Sequence, residues 1–264
     1  MSVKQTTDDQ IRAEELLYLG QELPDKFIEP EVEIAGYETI KIELLSPSTE
    51  HAYVDWINSA FYSSLCTWDA SPQNPVEQML HTKTLGERES MLLNILDTRP
   101  ISVALESAVF VFKVTGVPRS MTHQIVRHRQ MAFGQQSYRV SSCYSDPVRA
   151  PAKVLENPQY AAMYAETVRR CRVLYKQMIE DGIPMEQARN ILPMGTCTKI
   201  AIEMRLRDML EYFKGRTSGI AQDEHSYIVA LMMKEMRDKQ PMFFKFLERK
   251  IPSINSVISE YLNV

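Results

Sequence analysis

The chain has 264 residues, of which 44% are hydrophobic and 24% charged, with a formal net charge of −4. That balance suits a soluble globular protein with enough chain to bury a proper core. It argues against a bulk positive field for nucleic acid, offers no apolar run of the roughly 18–20 residues that cross a bilayer, and shows no CxxC pair or metal-type spacing among Cys66, Cys143, Cys171, Cys197 and the histidines. The cysteines read as reduced thiols, no metal site is expected, and the polar N-terminus lacks an apolar signal core, so the expected location is cytoplasmic.

Taken in chain order, residues 1–36 read as an accessory N-terminal segment and 37–264 as a single domain. Gln10 to Gln21 suits a short amphipathic helix, and Glu22 to Tyr37 is acidic and irregular around Pro24 and Pro30. Thr39 to Leu45 alternates apolar and polar residues, the period of a strand. His51 to Ser63 suits a helix, residues 66–84 a loop, and Leu85 to Leu96 a second helix. Val103 to Thr115, rich in β-branched and aromatic residues, predicts a central strand ended by Gly116 and Pro118. Pro118 suits the first turn of a helix running to about His128. Residues 141–158, rich in Pro and Ser, read as a loop, and Tyr160 to Asp181 as a helix. A further helix starts within Gly182 to Arg189. Ala201 to Lys214 repeats apolar residues at Ile202, Leu206, Met209, Leu210 and Phe213, the helical interval, with Gly215 as its C′ residue. Ser218 and then Asp223 and Glu224 mark the start of a helix over Ala221 to Arg237. No GxGxxG or P-loop is present, so a dinucleotide here is not held by a Rossmann motif.

The stretch that stands out is Arg127-His128-Arg129, followed after seven residues by Ser137 and then Arg139. Clustered cations on an acidic chain suit a specific small anion, because guanidinium is permanently charged and its fork of donors matches phosphate and carboxylate. A helix reaching His128 puts Gln124, Arg127 and His128 on one face and leaves Met121, Ile125 and Val126 for the core. An extended segment after Gly134 puts Gln135, Ser137 and Arg139 on one side. The plain alternative is a solvated basic helix end favoured by the helix dipole. Ser137 has no G-x-S-x-G elbow to make it a nucleophile, and Cys143 reads as a bystander thiol.

The R-H-R-x7-S spacing resembles that of the flavin-dependent thymidylate synthases. Ala188-Arg189-Asn-Ile-Leu-Pro193 is similar to the family's A-R-x-x-L-P element, and Arg216-Thr-Ser-Gly-Ile-Ala221-Gln222-Asp-Glu224 to its R-x-[DS]-x-x-A-Q-x-E segment. The resemblance covers roughly residues 38–245. It implies an α+β fold, a central mixed or antiparallel sheet with flanking helices and no Rossmann motif, in a homotetramer with shared active sites. It implies that dUMP becomes dTMP, with methylenetetrahydrofolate as carbon donor and FAD and NADPH as reductant. By the same resemblance dUMP falls to Gln124, Arg127, Gln135, Gln136, Ser137, Arg139, Arg189 and Arg216, with Arg216 catalytic as the cation beside the uracil ring. FAD falls to Val103, Arg127, His128, Arg129, Gln135, Arg205, Arg207 and Glu211. Arg207 and Glu211 also stand four apart, as a plain surface ion pair would.

The chain departs from the family pattern on the flavin and folate side. Arg99 to Ser107 lacks the histidines of the family's G-H-x-S/T-x-x-E-H stretch and brings Glu106 one residue late. Ile220 replaces a histidine, and Glu211 and Arg205 stand where asparagine is common. Two alternatives stay open: a related enzyme that modifies a pyrimidine nucleotide differently, for example by hydroxymethylation, and an FAD-free nucleotide- or RNA-binding module.

Overall fold

The computed structural model describes residues 34–47, 54, 57–58, 82–98, 103–141, 143–144, 146–217 and 223–263. The helix expected over Gln10–Gln21, most of the irregular stretch Glu22 to Tyr37, most of the helix expected over His51–Ser63, most of the loop expected over 66–84, and Ser218 with Ala221-Gln222 lie outside these residues. Val54, Ile57 and Asn58 are described and helical. In chain order the elements are β1 (Ile34–Ala35), a 3-10 turn (Tyr37–Thr39), β2 (Lys41–Ser46), α1 (Leu85–Thr98), α2 (Val103–Ser107), β3 (Val109–Pro118), α3 (Arg119–Ile125), β4 (Ala132–Gln135) and β5 (Val148–Arg149). They continue with α4 (Ala152–Leu155), α5 (Pro158–Glu180), α6 (Met185–Ala188), a 3-10 turn (Arg189–Ile191), β6 (Cys197–Arg205), α7 (Leu206–Arg216), α8 (Asp223–Lys239), α9 (Pro241–Lys250) and α10 (Ile254–Leu262). This is the expected α+β class. The chain divides into two compact units: one takes in residues 1–40, 115–124 and 135–200, the other 41–114, 125–134 and 201–264.

The first unit is built on α5. Asn157 caps its N-terminus, its side chain accepting from the amides of Gln159 and Tyr160, and Pro158 sets the first turn. At the other end Gly182 takes φ +82°. Its amide reaches Ile179 O at 3.0 Å and that of Ile183 reaches Met178 O at 2.8 Å, the paired bonds of a Schellman stop that only a residue tolerant of positive φ permits. Tyr138, Cys143, Tyr144, Tyr175, Met185 and Ala188 form the core, with Met178, Ile179, Ile183, Ile191 and Leu192 packed against it. The 141–158 stretch is not only loop: β5 pairs in parallel with β1, Ile34 opposite Val148, and α4 follows. Arg172 of α5 is buried and donates to the carbonyls of Tyr144 and Asp146, satisfying backbone that no ladder reaches. At Gly195 a side chain has no room, since a Cβ would stand 2.5 Å from Arg149 O and 2.7 Å from the Tyr164 hydroxyl.

The second unit holds most of a four-stranded sheet of order β2-β3-β6-β4. Phe110, Phe112 and Val114 on β3, with Ile202 and Met204 on β6, point at period two into a core completed by the apolar stripes of α8, α9 and α10. Phe110 meets Phe243 of α9 edge-on, ring centres 5.3 Å apart. The edge strand β2 is covered chemically. Leu44 N donates to the Glu235 carboxylate at 3.0 Å, Leu44 O accepts from Lys239 Nζ at 3.4 Å, and those two α8 side chains pair with each other at 2.9 Å. An edge satisfied in this way does not recruit another strand.

Several expected elements take another form. The strand expected from Val103 begins at Val109, and Val103–Ser107 is a helical turn packed against α1 and α7. A short apolar run carries no period that separates the two. Residues 201–205 of the expected helix are strand, because the alternation of Ile202 and Met204 with Glu203 and Arg205 is a period-two pattern merging into the period-3.6 pattern of α7. Gly215 lies inside α7, which runs to Arg216 and is capped by Thr217. Helices α9 and α10 had no sequence expectation.

Candidate functional site

The helix entering the cationic stretch is shorter than its periodicity suggests. α3 ends at Ile125, and the chain turns there, His128 N bonding Ile125 O at 3.1 Å and Met131 N bonding His128 O at 3.2 Å. Gln124, Arg127 and His128 therefore do not share a helical face. Met121 and Ile125 are buried as expected, but Val126 is 40% exposed. Leaving the helix turns the Arg127 and Arg129 side chains to solvent and leaves His128 half-buried.

His128 packs inward against α7. Arg216, the last residue of that helix, brings Nη2 to 2.9 Å from His128 Nε2. A guanidinium only donates, so Nε2 accepts and His128 is the neutral tautomer with its proton on Nδ1. Burial and then the Arg216 cation both hold the His128 pKa below its ordinary value. The ring lies edge-on to Tyr212, centres 4.7 Å apart, and Tyr212 OH is 2.7 Å from Nε2 of the buried His225. Burial, Arg216 and His128 push His225 down to about 3, so this ring too is neutral. Burial pushes the Tyr212 phenol up. Tyr212 and His225 were not legible as site residues, their one signal being polar groups on the apolar stripes of α7 and α8.

Beside the Arg127–Arg129 turn the second unit forms an open cleft of about 470 Å³ lined by Glu106, Arg129, Gln130, Arg205, Arg207 and Asp208. It gathers three of the arginines expected at the flavin. Arg207 does not pair with Glu211: it reaches Glu106 Oε1 of α2 at 2.9 Å, while Glu211 is exposed and lies 3.9 Å from Lys214. Val103 begins α2 in the same unit.

The remaining expected residues lie in the first unit. Gln135 donates from Nε2 to the buried Thr122 hydroxyl at 2.9 Å. Gln136 is tied through its amide to Lys199 O, while its side-chain Oε1 is buried with no hydrogen-bond partner among the described residues. The extended chain stops after Gln135. Val140 N and Ser141 N both turn back to Ser137 O, so Ser137 and Arg139 sit on a turn and do not alternate along a strand. That turn still brings Arg139 to Arg189. Arg139 holds the Glu186 carboxylate through Nε at 3.0 Å and Nη2 at 2.9 Å, and Arg189 Nε donates to Glu186 O at 3.2 Å. Glu186, absent from the sequence expectation, is thus the anion at an expected phosphate site. Cys143 and Cys197 are buried, and burial pushes both thiols up to about 11, which suits packing rather than attack.

A profile described as thymidylate synthase complementing protein matches residues 57–242. The flavin-dependent thymidylate synthase of Geobacter sulfurreducens is 31% identical over 143 residues, covering 53% of this chain and 62% of that protein. That of Sulfolobus acidocaldarius is 28% identical over 211 residues, covering 78% of this chain and 76% of that protein. The Sulfurisphaera tokodaii protein of the same description is 30% identical, with 56% of its length aligned. The chain thus spans a little over half the length of some of the relatives it matches. The crystal structure of the UMP/dUMP methylase PolB from Streptomyces cacaoi, bound with 5-Br dUMP, superposes with a TM-score of 0.62 at 17% identity, covering 83% of this chain and 97% of that one, which is a likeness of fold.

Proposed function

The chain belongs to the thymidylate synthase complementing protein family, that of the flavin-dependent thymidylate synthases, and from that premise we propose that it methylates dUMP reductively to dTMP. Methylenetetrahydrofolate is the carbon donor, and FAD with NADPH the reducing pair. The observation that carries this reading is the Arg216–His128 contact, which joins the family's R-H-R stretch to its R-x-[DS]-x-x-A-Q-x-E segment. Residues 37–264 act as the catalytic domain of a homotetramer with shared sites, and 1–36 as an accessory segment.

The cleft fits a flavin dinucleotide by its donor set. Arg129, Arg205 and Arg207 against Glu106 and Asp208 leave a net positive lining, and guanidinium forks suit a pyrophosphate. FAD, once bound and reduced by NADPH, would supply the hydride that completes the methyl group. Arg216, fixed by His128, stabilises negative charge developing on the uracil ring as N3 ionises and C5 becomes nucleophilic. A neutral His128 orients that guanidinium without competing for it. Arg139, Ser137 and Arg189 take the nucleotide phosphate, which replaces the Glu186 carboxylate as the anion on the Arg139 fork.

The test is the visible spectrum of the purified protein under anaerobic NADPH, with and without dUMP, followed by mass analysis of the product. A bound flavin whose reoxidation responds to dUMP, with dTMP formed, supports the reading. A product carrying one more oxygen than dTMP would make the chain a hydroxymethylating relative, and a protein that takes up no flavin would rule out both.

A further inference from the structure

Behind the Arg216–His128 contact stands a second polar pair that the chemistry above does not use. Tyr212 is 2% exposed and His225 wholly buried, in an interior made mostly of methionine, phenylalanine and aliphatic side chains. Burying a phenol and an imidazole costs more than burying two apolar rings, so what their bond fixes is informative.

Tyr212 lies one turn before Arg216 on α7, on the same face. Its ring meets that of His128 at 74°, and the His225 ring stands 6.4 Å from His128 at 88°, so His128 packs against both. His225 Nδ1 has no hydrogen-bond partner among the described residues, which leaves the 2.7 Å bond to Tyr212 OH to orient the ring. The next residue, Ser226, donates from Oγ to Arg216 O at 3.2 Å. That carbonyl belongs to the last turn of α7 and has no partner within the helix. Consecutive residues of α8 therefore grip α7 at two points, the Tyr212 hydroxyl and the Arg216 backbone.

We propose that Tyr212 and His225 are positioning residues: their hydrogen bond holds the His128 ring in the orientation at which Nε2 accepts from Arg216, and so fixes the guanidinium. The proposal rests on the role given to Arg216 above, but the ring geometry can be read apart from turnover.

The experiment uses the full chain and the variants Tyr212→Phe, His225→Leu and His225→Gln. Imidazole 1H–15N correlation spectra are recorded, with the His128 signals identified by their loss in His128→Gln. Wild type is expected to show His128 as a single tautomer protonated on Nδ1. Tyr212→Phe, which removes only the hydroxyl, and His225→Leu are expected to give a mixture of tautomers, and His225→Gln, whose amide reaches the hydroxyl, to restore the wild-type signal. In turnover the first two lose ~10-fold in kcat at unchanged KM for dUMP, the double variant loses no more than either alone, and His225→Gln recovers. A His128 signal unchanged in Tyr212→Phe overturns the proposal whatever the activity, and that variant decides the matter should His225→Leu fail to fold. A wild type that makes no dTMP counts against the proposed function, while the spectrum still decides the positioning.

Discussion

Arg216 and His128, 88 residues apart in the chain, meet through Nη2 and Nε2 at 2.9 Å. A permanent cation resting on a neutral imidazole is held in place without being neutralised. Arg216→Ala is therefore expected to fold and keep its flavin but to lose about 10²–10³ in kcat, the usual cost of a missing charge-stabilising donor. Arg216→Lys keeps the charge and loses the planar fork, so only partial recovery is expected. Steady-state kinetics with flavin content measured alongside check both, and wild-type turnover in Arg216→Ala would remove the residue from the mechanism.

Acid should unfold the second unit through His128 and His225. His128 and His225 are held below their ordinary values, His225 at about 3, so the unfolded chain takes up protons that the native one refuses. Their contribution is complete above the unfolded value of about 6.5 and is lost as pH falls toward the folded values. For the fully buried His225 this amounts to on the order of 3 kcal/mol by about pH 4. Urea midpoints between about pH 7 and about pH 4 should fall steeply in wild type and less in His225→Gln; parallel slopes would sink the assignment.

Glu186 bears on nucleotide affinity. Its carboxylate holds the Arg139 fork at 2.9 Å, with the two side chains 64% and 44% exposed. An exposed pair of this kind contributes little to folding. Glu186→Gln should leave stability within about 0.5 kcal/mol of wild type and lower the KM for dUMP a few-fold, because the phosphate no longer displaces an anion. A raised KM would mean that Glu186 orients Arg139 for the substrate.

Gly195 is required for its size. A Cβ there meets Arg149 O and the Tyr164 hydroxyl well inside contact distance, and Arg149 N is itself bonded to Gly195 O at 2.8 Å. Since backbone cannot swing aside as a flexible side chain does, Gly195→Ala should cost about 1–3 kcal/mol in denaturant unfolding. An unchanged midpoint would show that β5 yields.

The arginine-lined cleft predicts flavin affinity. Removing one charge-assisted fork, as in Arg205→Ala, should weaken FAD binding about tenfold with little change in unfolding, since the side chain is exposed. Equilibrium dialysis followed by flavin absorbance measures it, and undiminished affinity would place the pyrophosphate elsewhere.

What the sequence determined by itself was chemistry tied to local spacing: the R-H-R stretch and its partners, the family, the α+β class, and long periodic elements such as α5, expected over Tyr160 to Asp181 and found over Pro158–Glu180. Composition and spacing suffice there because caps, stops and periodicity act within a few residues. What only the tertiary structure decided lies where distant segments compete for the same residues. Nothing local says that α3 stops at Ile125, that residues 201–205 join a sheet, or that Arg207 prefers Glu106 to the Glu211 one turn away. Nor does it say that Tyr212 and His225, polar residues on apolar stripes, meet each other and His128. Those outcomes depend on which groups share a desolvated interior, where a buried donor or acceptor must find its partner across the fold.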